Sequence, residues 1–106
     1  MLIVCNRVQV NPKYKDTFET LFLSRAHQVD SMPGFVRFQL LREERSGNAY
    51  IVMVTWESKQ HYHAWVKSDA FKQGHSRTGT LPEDIFTAPQ TVELYEVLDH
   101  AVAETP

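Results

Sequence analysis

The stretch Phe35-Val36-Arg37-Phe38-Gln39-Leu40-Leu41-Arg42, then Arg45-Ser46-Gly47-Asn48, then Ala49-Tyr50-Ile51-Val52-Met53-Val54-Thr55-Trp56 decides the fold. The first and last runs have the length and composition of strands, and the turn chemistry between them predicts a β-hairpin. The second strand of that hairpin is apolar on both faces, a pattern that a small antiparallel sheet shows when both of its faces are covered. One layer of helices covers one face only. The sequence therefore predicts a second copy on the other, a homodimer through the sheet face.

Working outward, Leu2, Val4, Val8 and Val10 share one face, with Arg7 and Gln9 on the other, which predicts a half-buried strand over residues 2–10. Asn11-Pro12 supplies an N-cap and a first helical position. Tyr14, Phe18, Leu21, Phe22, Ala26 and Val29 then recur at spacings of three and four, predicting an amphipathic helix over 12–30 that Pro33-Gly34 breaks. Ser58 and Ser68 are N-cap candidates for short helices over 59–66 and 69–75. Residues 76–90 have no periodicity and are expected to form a flexible loop at a functional site. Residues 91–98 read as a last strand, and 100–106 as a tail. The order β-α-β-β-α-β, with its second helix broken in two, predicts an α+β, ferredoxin-like domain over 1–106, an antiparallel sheet with helices on one face.

The chain has 106 residues, 42% apolar and 23% charged, enough for one self-supporting core without disulfides or structural metal. Eleven Lys and Arg against thirteen Asp and Glu give a net charge of −2, which lacks the electrostatic footprint of a nucleic-acid binder. The single cysteine, Cys5, excludes an intramolecular disulfide and a multi-cysteine zinc site. The apolar runs are too short to span a membrane, and the start lacks the order of a signal peptide, so a cytoplasmic location is expected.

Three residues stand out for chemistry. Asn6 interrupts the apolar face of the first strand; it is either satisfied by neighbouring backbone or an amide facing a ligand pocket. His75 shares a helix face with Phe71, which carries it inward or to a pocket rim, either as an iron ligand or as a helix-end cap. Trp65 forms an inward stripe with Tyr62 and Val66, as core or as pocket wall. His61 and His63 face different directions and cannot share a metal, and His27 and His100 suit solvent. Cys5 lies opposite Asn6 with no base beside it and reads as packing. No HExxH, GxGxxG, P-loop or nucleophile-elbow motif is present.

The run Val54-Thr55-Trp56-Glu57-Ser58-Lys59-Gln60, with Tyr62, Trp65, Lys67-Ser68-Asp69, Phe71-Lys72 and His75, resembles the haem-degrading monooxygenases of the IsdG type. These sit within the antibiotic biosynthesis monooxygenase superfamily. The joint presence of Asn6, Trp65 and a histidine ten residues on is the specific part of the likeness. The resemblance implies a dimeric α/β barrel that binds haem in a cleft between helices and sheet. It implies that His75 is the axial ligand of the haem iron, that Asn6 hydrogen-bonds oxygen held there, and that Trp65 pushes the porphyrin out of plane. Phe22 and Phe71 are implied as pocket walls, with Arg25 or Arg77 near the propionates. Haem (iron protoporphyrin IX) is then both cofactor and substrate. O2 and electrons from an external donor, through an unidentified reductase, open the ring and release iron and a bilin-type product. Two other expectations remain open: a cofactor-independent monooxygenase of quinols or aromatic polyketides, and a non-catalytic dimeric haem-binding module.

Overall fold

The computed structural model describes residues 1–24, 28–76 (main chain only for 74–76) and 81–104. Strand β1 (Leu2–Gln9) leads through a single helical turn at Pro12–Tyr14 into α1 (Lys15–Leu23). A second such turn, Val29–Ser31, precedes β2 (Phe35–Arg42) and β3 (Ala49–Trp56). Helices α2 (Lys59–Val66) and α3 (Asp69–Ser76) then lead to β4 (Thr91–Glu96). The four strands form one antiparallel sheet in the order β2-β3-β1-β4, the ferredoxin-like arrangement. The helices lie on one face, where Leu2, Val4 and Val8 of β1 and Tyr50 and Trp56 of β3 are buried.

The hairpin strands have the bounds that the sequence predicts, with Gly47 at φ +69° in the turn, where a side chain would be strained. Both serine caps form: Ser58 Oγ accepts from the His61 N–H at 3.3 Å and Ser68 Oγ from the Phe71 N–H at 3.1 Å. Asn11 caps the turn at Pro12 through the Lys13 N–H at 3.1 Å.

One expectation is corrected. The helix expected over 12–30 stops at Leu23, and Ser24 caps it, its N–H and its hydroxyl both donating to the Thr20 carbonyl, at 3.0 and 2.6 Å. Val29 is buried all the same, on its own turn. Residues 81–90, the described part of the segment 76–90, lie against the core. Ile85 is 2% exposed, and Leu81 and Phe86 pack on the same cluster. The Ile85 carbonyl accepts from the Asn11 N–H at 2.8 Å, and the Thr87 N–H donates to the Gln9 carbonyl at 3.0 Å. This stretch is core wall, carried by isolated apolar residues that no periodicity announces.

A polar clamp ties α1 to the sheet. The Tyr50 hydroxyl donates to Glu19 Oε2, which also accepts from Arg42 Nη1 at 2.9 Å. The bonds from Tyr50 and then Arg42 hold the Glu19 carboxyl below the usual carboxylate range. Burial first, and the Glu19 bond second, push the Tyr50 phenol up to about 12. Glu19, with its pKa depressed, stabilises the fold above the ordinary carboxylate pKa and loses that contribution as pH falls through its folded value. Tyr50, with its pKa raised, contributes fully below about pH 10 and loses its contribution between there and about 12. Urea midpoints measured against pH are expected to show a flatter acid limb in Glu19→Gln and a flatter alkaline limb in Tyr50→Phe; wild-type slopes in both variants would refute the clamp.

Candidate functional site

The helix-covered face holds two packed clusters. One gathers Val8, Val10, Phe18, Tyr50 and Ile85, with Phe22 and Leu40 against it. The other gathers Leu2, Val4, Val29 and Trp56, with Val54, Tyr62 and Trp65 against it. Asn6 lies on β1 between Val4 of one and Val8 of the other, the one polar side chain that β1 turns toward the helices. Its partner across β3 is Val52 and its partner across β4 is Val92.

The alternation of β1 places Asn6 here, and the surroundings leave its amide half satisfied. Nδ2 donates to Gln90 Oε1 at 3.3 Å, while Oδ1 is buried without a hydrogen-bond partner. A buried orphan acceptor costs about 1–3 kcal/mol, which a neighbouring backbone donor would have removed. The reading of Asn6 as satisfied by backbone therefore does not describe Oδ1. Beside it, the helices leave the β4 edge uncovered: Val92 is 56% exposed and Leu94 is 42% exposed on the same face as Asn6. Asn6 thus lies between the two clusters, its amide beside an exposed apolar stretch of the β4 edge.

Trp65 and Phe71 are brought together, their rings 5.5 Å apart and edge to face, and Trp65 lies 6.4 Å from Trp56. Phe22 belongs to the opposite wall, 5.0 Å from Phe18 and stacked on Phe38 at 6.4 Å. The main chain carries His75 in the last turn of α3, one turn beyond Phe71, but its side chain is outside the described residues. Arg25, His27 and Arg77 are outside them as well. His61 is committed locally, its Nδ1 at 2.7 Å from Ser58 Oγ. Cys5 is buried on the face opposite Asn6, and burial pushes its thiol pKa up, which suits packing better than reactivity. Among the described residues no group of three His, Cys, Asp or Glu is placed to hold a metal ion. Among them, too, no helix is long and apolar enough to cross a membrane.

Gln90, Val92 and Leu94 are members of this site that the sequence does not announce. Apolar alternation in the last strand marks Val92 and Leu94 as sharing a face, but only the pairing register sets them beside Asn6. A shallow depression of about 220 Å³ lies elsewhere, at the hairpin end of the sheet, where Arg7, Gln9, Leu41, Ala49 and Ile51 are among its lining, and it contains none of the candidate residues.

Comparison with known proteins gives this arrangement a context. The profile of the antibiotic biosynthesis monooxygenase family matches residues 1–77. A heme oxygenase (mycobilin-producing) of Mycobacterium tuberculosis is 31% identical over 98 residues, covering 92% of this chain and 90% of that protein. A heme-degrading monooxygenase of Bacillus thuringiensis is 30% identical over 104 residues, covering 92% of each chain. The solved structure of the heme degrader MhuD from Mycobacterium tuberculosis, with two hemes in its active site, superposes with a TM-score of 0.76 at 27% identity, covering 96% of this chain and 100% of that one. With the split βαβ sheet and a match over most of its length, the chain belongs to the antibiotic biosynthesis monooxygenase family.

Proposed function

We propose that this protein is a haem-degrading monooxygenase that takes haem as both substrate and cofactor. The observation that carries the reading is the buried, unpartnered amide oxygen of Asn6 on an otherwise apolar strand face, beside the exposed Val92 and Leu94 of the β4 edge. Relatives named for haem degradation, at 30% and 31% identity, point the same way. When bound, haem supplies the iron at which O2 and external electrons are brought to the porphyrin, whose opening releases iron and a bilin-type product.

The residues present fit such a group. A flat apolar macrocycle matches the exposed Val92 and Leu94 and the aromatic walls, Trp65 with Phe71 on one side and Phe22 on the other. Trp65 is braced by Trp56 and Phe71, so it would stand as a stiff wall against such a ring. His75, carried by the last turn of α3, would hold the iron. Asn6 keeps an unused acceptor, and the second hydrogen of Nδ2, for oxygen chemistry and ordered water in a site of low polarity. No protein acid or base is needed beyond that amide.

The uncovered sheet face supports a homodimer. Half-buried Ile3, Ile51 and Met53 surround the buried Cys5 and Thr55, with Leu41 and Tyr95 exposed near the edges. A reductase of unidentified kind supplies the electrons.

A hemin titration followed by reductant tests the reading. The protein is expected to develop a Soret band that saturates at one hemin per chain, or at two as in the MhuD structure. Ascorbate should then bleach the band with release of ferrous iron. His75→Ala is expected to weaken binding at least about 10-fold, since even the outer-shell partners of a metal ligand cost that much. Absence of stoichiometric binding would overturn the reading in favour of a cofactor-independent oxygenase. Binding without bleaching would leave a haem-binding module instead.

A further inference from the structure

We propose that Gln90 is a positioning residue for Asn6, setting which end of the Asn6 carboxamide faces the site. This rests on the reading of the region around Asn6 as a haem-degrading site. A carboxamide carries a donor end and an acceptor end of nearly the same shape, so two orientations half a turn apart compete unless a neighbour chooses between them. Gln90 chooses. Its Oε1 accepts from Asn6 Nδ2 at 3.3 Å, which leaves Oδ1 as the buried, unpartnered atom. One hydrogen of Nδ2 is taken, and the other stays with Oδ1 for whatever occupies the site.

The main chain around Gln90 is suited to this role. Three residues before it, the Thr87 N–H is bonded to the Gln9 carbonyl at 3.0 Å. One residue after it, Thr91 enters the ladder opposite Arg7, the residue next to Asn6. Pro89 fixes a further dihedral between these anchors. Gln90 is thus held at the end of β4 while its side chain remains exposed, outside both core clusters. Replacing an exposed side chain of this kind leaves the fold intact.

Glutamine both donates and accepts, so three substitutions separate the possibilities. Gln90→Glu keeps an acceptor, Gln90→Lys offers donors only and draws Asn6 Oδ1 toward the β4 edge, and Gln90→Leu offers neither. In the haem-free protein, the Asn6 side-chain NH2 signals, assigned by their loss in Asn6→Leu, report the bond directly. Wild type and Gln90→Glu are expected to show one of the two protons shifted downfield; Gln90→Lys and Gln90→Leu are expected to lose that shift. In the hemin-loaded, reduced protein under carbon monoxide, the C–O stretching frequency of Gln90→Leu is expected to move with that of Asn6→Leu, while Gln90→Glu stays with wild type. Porphyrin breakdown should fall about 10-fold in Gln90→Leu with hemin binding retained, the usual scale for a residue acting through another. If wild type binds hemin and Gln90→Leu matches it in amide signals and C–O frequency, the positioning role is overturned and the proposed function stands. If wild type binds no hemin, both fall, even where the amide signals show the pair intact.

Discussion

Replacing Asn6 with leucine is expected to reduce haem breakdown at least about 100-fold, the scale for removing one polar group aimed at developing charge, while leaving the protein as stable as wild type or about 1 kcal/mol more so. The two effects have one source. Oδ1 is buried with no partner, and the bond from Nδ2 to Gln90 is partly exposed, so little stability is lost with the amide. Leucine adds apolar surface beside Val52, Val4 and Val8. Urea unfolding and the rate of Soret bleaching, measured on the same preparation, separate the two quantities. A variant destabilised by more than about 2 kcal/mol, with breakdown unchanged, would show that Asn6 is a structural amide, since losing a satisfied buried polar group has that cost.

The second large effect lies far from the amide. Gly34 sits at φ +81°, and its carbonyl accepts from the Glu57 N–H at 2.8 Å where the chain enters β2. A Cβ there would stand 2.1 Å from His61 Cγ and 2.5 Å from His61 Cβ. The histidine has little freedom to retreat, since its backbone begins α2 and its ring is bonded to Ser58. Gly34→Ala is expected to destabilise the fold by about 2–5 kcal/mol, from left-handed backbone cost together with overpacking. Adding His61→Gly, which removes the Cβ as well as the ring, should recover the overpacking share and leave the backbone share, which a double-mutant cycle in urea resolves. A single Gly34→Ala variant within about 0.5 kcal/mol of wild type, the range of an unremarkable surface change, would contradict the close approach.

The elements that the sequence makes legible are those set by local rules. The β2–β3 hairpin follows from turn chemistry and strand composition, and α2 and α3 begin at the serines whose caps form. Helix α1 misleads because its apolar period tracks burial, not helix. Val29 continues the stripe and is buried, yet reaches the core from a separate turn after Ser24 has closed the helix. Asn6 is legible because an amide breaks an apolar alternation. Gln90 is not, since its role depends on the register between β1 and β4, a pairing between opposite ends of the chain. Ile85 is hidden for a related reason: one apolar residue in an aperiodic segment carries no sign that Asn11 and Gln9 will fasten that segment over the core.

Mapping hemin on the sheet tests the central claim most directly. Methyl resonances broadened by the paramagnetic iron, followed as hemin is added, report which face and which end of the sheet it approaches. Broadening of Val52, Val92 and Leu94, ahead of Ile3, Ile51 and Met53 on the far face, is the predicted result. Broadening centred on that far face, or none with hemin in excess, would contradict it.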